Sequence, residues 1–208
     1  ARREPARRIG AARRLVKTQR DKQCIALVGL RGCGKTTVGQ ELGRTLGGEY
    51  VDTDELIAER AGRSIAEIFA SEGEAGFRKR ESEAIREVVQ ASPTVISVGG
   101  GAVLDQGTVS NLRAVATVVW LTAPAEVLWR RISTDPTTPR SRPPLSDQTG
   151  IDELRRLLAE RTPFYQQAAD VQIETVAGTE AVATDRQPRE IAEEIVRRAR
   201  PPASSARD

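Results

Sequence analysis

An α/β fold, with a parallel sheet covered by helices on both faces, is what this sequence predicts. Three observations carry the prediction. Short apolar runs, such as CIALVG at 24–29 and VATVVWL at 115–121, lack polar alternation, as strands buried on both faces require. These runs alternate with longer stretches of helical periodicity. A glycine-rich turn from Gly29 to Thr36 stands between the first run and the first helix.

The elements follow in order. Residues 24–29 form the first strand and 35–46 a helix. A short strand covers 49–51, and helices cover 54–61 and 65–91, the second broken near Gly73 and Gly76. Residues 94–98 form a strand that runs into three glycines. A helix at 109–114 precedes the most apolar strand, 115–121. Pro124 opens a helix that ends at Ile132. Residues 133–149 are polar and rich in Pro, Thr and Ser. A helix at 152–169, a strand at 171–175 and a helix at 188–200 complete the pattern. No internal repeat is visible.

Composition narrows the chemistry. The chain has 208 residues, 38% apolar and 3% aromatic, so its core is built from aliphatic side chains. No run of about 18 apolar residues exists to span a membrane. The two cysteines, Cys24 and Cys33, are too few and too close for a disulfide framework and point to a reducing cytosol. Histidine is absent, which excludes Ser-His or Cys-His nucleophilic pairs and a histidine-bound metal. Any general base is therefore a carboxylate, a lysine or a tyrosine.

The formal charge of +3 hides an asymmetry: residues 1–22 carry +7 and the rest −4. A nucleic-acid partner is not expected of the folded body; only the Arg-rich front could support one. That front, with pairs such as Arg2-Arg3 and Arg13-Arg14, reads as a solvated extension, a frayed helix, a contacting arm or a transit peptide. The lack of an initial Met fits processing or truncation. Residues 201–208, rich in Pro, Ser and Ala, are expected to be disordered. The folded domain is expected over 23–200.

Gly29 to Thr36 matches GxxxxGK[ST] with the strand and helix that the motif needs. Its glycines, Gly32 and Gly34 included, let backbone N–H groups turn inward around phosphate oxygens, and the helix dipole assists. Lys35 brings a point charge to the β/γ phosphates, and the Thr36 hydroxyl is a ligand for Mg²⁺. Thr37 follows. Cys33 lies inside the loop, either as a thiol activated by the helix terminus or as a small residue pointing away from phosphate.

Asp52 and Asp54 end the second strand at the sheet edge where open α/β folds place ligands. One can organise Mg²⁺ and the other orient an acceptor hydroxyl. Equally, Thr53 or Asp54 would suit the helix start as a cap. Arg78 and Glu81 are spaced to pair on one helix face, which by itself reads as a surface ion pair. Gly99, Gly100 and Gly101 expose bare backbone, which favours close approach of a ligand. The stretch 133–149 holds Arg140 and Arg142 and reads as a mobile lid over ATP or as a surface loop. Arg161, four residues before Tyr165, suits bidentate recognition of a carboxylate.

Together these motifs resemble the shikimate kinase family: GxxGxGKTT at 29–37, DTD at 52–54, GRSIAEIF at 62–69, FRxxE at 77–81, GGG at 99–101, RPxL at 142–145 and RxxxY at 161–165. They cover about residues 24–200. The resemblance implies a three-layer P-loop kinase fold with a five-stranded parallel sheet in the order 2-3-1-4-5. It implies phosphorylation of the shikimate 3-hydroxyl by ATP with Mg²⁺ in aromatic amino acid biosynthesis, by a cytoplasmic monomer. Lys35, Asp54 and Arg142 would be catalytic. Asp54 would meet the hydroxyls of shikimate and Arg78 and Arg161 its carboxylate, with Gly99, Gly100 and Gly101 also binding it and Phe69 and Phe77 as walls. ATP would be held by Gly32, Cys33, Gly34, Lys35, Thr36, Thr37, Arg142 and Arg186, the last at the adenine. Thr36 and Asp52 would serve the metal. Pro144, where the family usually has Leu, and the Arg-rich front depart from the pattern. Two other readings remain open on the residues: a gluconate-type kinase, and a nucleotide-switched binding protein using the front.

Overall fold

The computed structural model describes residues 24–135, 150–178 and 183–199. The expected lid centre with Arg140 and Arg142, the Arg-rich front and the chain end lie outside the described residues.

The main sheet has five strands: β1 (Cys24–Val28), β2 (Tyr50–Asp52), β3 (Val95–Ser97), β4 (Ala116–Thr122) and β5 (Val171–Glu174). Their order is β2-β3-β1-β4-β5, and each neighbouring pair is parallel, as expected. Seven helices accompany them among the described residues: α1 (Lys35–Leu46), α2 (Thr53–Ala61), α3 (Ile65–Ala91), α4 (Gln106–Val115), α5 (Ala125–Thr134), α6 (Gly150–Ala168) and α7 (Pro188–Ala199). No helix among them is long and apolar enough to cross a membrane.

β1 pairs on both sides and is wholly buried, which explains its unbroken apolar run. Its side chains alternate between two cores. Ile25 and Leu27 join Val38 and Leu42 of α1, Leu128 of α5, Leu154 of α6 and Ile195 of α7. Cys24, Ala26 and Val28 join Ile85 of α3, Leu112 of α4 and Tyr165 of α6. Burial drives the Cys24 thiol up to about 12, so it is an inert core residue. A third, smaller cluster of Ile57, Ile65, Ile68, Phe77 and Ala84 lies between α2 and α3.

Boundaries shift for identifiable reasons. α4 begins three residues before the expected start because Asp105 caps it, accepting from Gly107 and Thr108 N–H at 3.1 Å each. α5 continues through Thr134 into the stretch expected to be irregular. α3 breaks at Gly73 alone (φ 68°, ψ −175°), whereas Gly76 stays helical. A two-residue antiparallel ladder, β6 (Val176–Ala177) with β7 (Thr184–Asp185), was not foreseen.

Candidate active site

The turn after β1 uses its glycines as the motif requires. Gly29, Gly32 and Gly34 have φ of 142°, 81° and 92°, a region that side chains disfavour. A Cβ on Gly32 would also press on the Leu128 carbonyl at 2.9 Å. Lys35 donates from Nζ to the Gly29 carbonyl at 2.8 Å and the Leu30 carbonyl at 3.3 Å, which folds its charge over its own loop. Cys33 points into the aliphatic core and is 1% exposed. Thr37 follows on the first turn of α1, exposed.

Asp52 is the cap of α2, and neither Thr53 nor Asp54 takes that place. Its Oδ1 accepts from the N–H groups of Asp54 at 2.9 Å and Glu55 at 3.5 Å. Its Oδ2 receives the Tyr50 hydroxyl at 3.0 Å and the Thr36 hydroxyl at 3.4 Å. Burial and the Asp52 charge hold the Tyr50 phenol above its ordinary value, so it remains a donor. One carboxylate oxygen thus closes the helix while the other faces Thr36. A hydroxyl and a carboxylate are hard oxygen donors and fit Mg²⁺, which takes few protein ligands beside phosphates and water. No cluster of three or more acidic or thiol side chains exists among the described residues to cage a metal unaided.

A second group gathers at the glycines after β3. Arg78 donates to Glu81 Oε2 at 2.6 Å and to Glu74 Oε1 at 3.2 Å, and its guanidinium stands 5.4 Å from the Phe77 ring centre. Phe77 stacks on Phe69 at 4.5 Å. The Arg78–Glu81 pair is not the surface ion pair its spacing suggested. Glu81 is 3% exposed because its helix face packs against the glycine turn. Burial raises the Glu81 pKa, opposed by Arg78 and by Arg161 on α6. Desolvation lowers Arg78, but Glu81 and Glu74 outweigh it and leave it above its usual value.

The glycines themselves accommodate protein side chains. A Cβ on Gly99 would strike the Glu81 carboxylate and come within 3.0 Å of Asp54 Oδ1. A Cβ on Gly101 would strike the Arg78 guanidinium. Gly100 lies between, its carbonyl accepting from the buried Tyr165 hydroxyl at 2.5 Å. Tyr165 stacks on Trp120 of β4 at 5.5 Å, which fixes the α6 segment that carries Arg161. Asp54, Glu81 and Arg78 therefore converge on one turn, and the charge of Arg161 acts on Glu81 there.

A cleft of about 1010 Å³ runs from Lys35 and Thr36 past Asp52 and Asp54 to Arg131 and Arg186. Arg186 is anchored by the Glu174 carbonyl at 2.8 Å and Glu194 at 2.7 Å. Arg131 escaped the sequence reading. It donates to the Gly32 carbonyl at 3.0 Å, the Thr175 hydroxyl at 3.0 Å and Asp185 at 2.8 Å, which ties the glycine loop to the residue after β5 and to β7. In the sequence it is one of two adjacent helix arginines, and only the depth of the cleft separates it from Arg130. Arg31, in the loop, is half-buried on the same wall, and burial lowers its pKa against the pull of Glu153 and Asp135. Asp54 belongs to both the cleft and the glycine-turn group.

The family model described as shikimate kinase matches residues 31–200. A shikimate kinase of Syntrophus aciditrophicus is 40% identical over 193 residues, covering 89% of this chain and 95% of that protein. One from Symbiobacterium thermophilum is 46% identical over 149 residues, 72% of this chain and 84% of the relative. Among solved structures, the shikimate kinase of Acinetobacter baumannii in complex with shikimate has a TM-score of 0.75 at 35% identity, covering 86% of this chain and 93% of that one. The match runs from within the glycine loop through both aspartates, the glycine turn and Arg161, and the chain belongs to the shikimate kinase family.

Proposed function

We propose that this enzyme transfers the γ-phosphoryl group of MgATP to the 3-hydroxyl of shikimate, giving shikimate 3-phosphate and ADP. The observation that carries the reading is the position of Asp54, shared by the phosphate-loop cleft and the Arg78–Glu81 cluster at the glycine turn. A hydroxyl held by Asp54 lies between a phosphate donor and two arginines suited to a carboxylate. Shikimate offers one carboxylate and three hydroxyls, which matches that set. Family relatives and a structural neighbour solved with shikimate support the same substrate.

The roles follow from the chemistry. Loop N–H groups and Lys35 cradle the β/γ phosphates, and Arg186 and Arg131 flank the far end of the cleft where the base would lie. Thr36 and Asp52 would hold Mg²⁺, whose charge would offset that on the phosphate oxygens. Arg78 and Arg161 fix the acceptor's carboxylate, with Phe69 and Phe77 behind. The P–O bond to the leaving ADP breaks as the acceptor oxygen bonds to phosphorus, and Asp54 accepts the hydroxyl proton. Such transfer has a loose transition state and depends on positioning and charge more than on a strong base, so an ordinary Asp suffices and histidine is unnecessary. Arg142 would meet charge on the transferring group. Every donor named comes from one chain, so a monomer is sufficient.

The test is ADP release from MgATP with shikimate and, in parallel, with gluconate. Release that saturates with shikimate is expected. Release dependent on gluconate keeps the kinase and replaces the acceptor; release with neither turns attention to a binding role.

A further inference from the structure

We propose that Arg63, Glu72 and Arg80 form a positioning clamp that sets the angle between the two halves of α3 and so places Arg78 over the glycine turn. The inference rests on the reading that Arg78 meets the acceptor's carboxylate.

α3 is two helices joined at Gly73, whose φ of 68° and ψ of −175° interrupt the hydrogen-bond ladder. Space around that joint is open: a Cβ built there meets nothing within 4 Å. Apolar contact spans the joint, with Phe69 stacked on Phe77 and Ile65 and Ile68 in one cluster with Phe77 and Ala84, and an ionic contact is added to it on the polar side. The first half begins in a full capping box, where Ser64 and Glu67 exchange hydrogen bonds, and so is anchored independently. The second half carries Phe77, Arg78 and Glu81.

Glu72, the residue before the joint, bridges three segments. Its Oε1 accepts from Arg63 at 2.6 Å, in the turn that enters α3. Arg80, beyond the joint, grips both of its oxygens, from Nε at 2.7 Å and Nη2 at 2.9 Å. A planar fork on a carboxylate restricts direction as well as distance. Arg63 also donates to Ser71 at 3.0 Å, which ties the entering turn to the end of the first half. Arg80 and Arg63 hold the Glu72 carboxyl down at about 2, so the clamp stays charged at any working pH. Arg78 is two residues from Arg80 and bonds Glu81 and Glu74 instead, so the clamp and the acceptor group occupy different faces of the same half-helix. Rotation of that half about Gly73 would carry Arg78 away from Gly101.

Glu72→Gln, Arg80→Ala and the double variant test this, with KM for each substrate, kcat and melting temperature measured on the full chain. Exposed pairs are individually weak, so each single variant is expected to raise the shikimate KM about three- to tenfold, with the ATP KM and kcat nearly unchanged. The double variant is expected to match Glu72→Gln, because that change already weakens the contact that Arg80→Ala removes. If Glu72→Gln does not fold, Arg80→Lys, which keeps the charge and loses the fork, is read in its place. Folded variants with an unchanged shikimate KM and a lower melting temperature would reduce the clamp to a structural device and overturn the proposal. Equal rises in both KM values would overturn it as well. A wild type without shikimate-dependent turnover removes the functional reading and the clamp's role together; a saturating wild type with unaffected variants removes the clamp alone.

Discussion

Arg78 and Glu81 form a 2.6 Å ion pair in which the carboxylate is buried and the guanidinium overhangs Gly101. The pair is asymmetric: the Arg78 side chain is 30% exposed and the Glu81 side chain 4%. The acid is the fixed post and the arginine the group that can reach a ligand.

Glu81→Gln tests the post. Losing the charged partner of a partly exposed arginine is expected to cost about 1–3 kcal/mol in stability. The pH dependence has a definite sign. Burial puts the folded-state value above that of an ordinary glutamate, so the folded chain binds this proton more tightly. The contribution favours folding most below the unfolded value and is lost as pH rises through the folded value. Denaturant titrations across the mildly acidic range should show this component in the wild type and its absence in Glu81→Gln.

Gly101→Ala separates folding from positioning. The added methyl meets the flexible end of Arg78 rather than backbone, so the fall in melting temperature should not exceed that of Glu81→Gln. The guanidinium must swing aside, and the shikimate KM should rise about tenfold or more, as expected for a displaced charged hydrogen bond. Gly39→Ala is the contrast: its methyl strikes the Tyr50 ring, and a large loss of stability is expected in thermal melts.

Asp54→Asn keeps the shape of the side chain and removes its basicity. Turnover should fall by about 10²–10⁴, the range for a positioned proton acceptor, while ATP binding measured by calorimetry stays intact. Near-normal turnover would remove Asp54 from the chemistry.

Arg161→Ala and Arg186→Ala should affect different substrates. Loss of a charged hydrogen bond at about 1.5–3 kcal/mol predicts a shikimate KM raised roughly ten- to a hundredfold for Arg161→Ala, with the ATP KM unchanged. Arg186→Ala should raise the ATP KM and spare shikimate. Equal effects on both substrates in either variant would refute its assignment.

The sheet and the glycine loop were legible because their signals are local: a strand paired on both sides must be apolar throughout, and a phosphate loop needs its glycines in register. β1 shows both. What escaped was set by contacts distant in sequence. An arginine and a glutamate three apart look alike on any helix. Glu81 is buried because Gly99, eighteen positions later, has no side chain to keep it out. Arg131 stands apart from Arg130 because its guanidinium reaches the loop carbonyl of Gly32 and both oxygens of Thr175. Asp52 was placed near the metal by its position, but its capping bonds depend on α2 starting one residue earlier than its composition suggested. The ladder of β6 with β7 is two residues on each side, too short for any periodicity to register.

The small cluster between α2 and α3 has a consequence for how such an enzyme changes over generations. Ile57, Ile65, Ile68, Phe77 and Ala84 pack mainly among themselves, and Leu56 provides the link to the core beneath the sheet. Mutations that reshape this cluster can drift without disturbing the aliphatic packing that supports Lys35 and its loop. Exchanges at Ile57, Ile65, Ile68 and Ala84 are therefore expected to weigh on the Phe69–Phe77 wall more than on the phosphate loop.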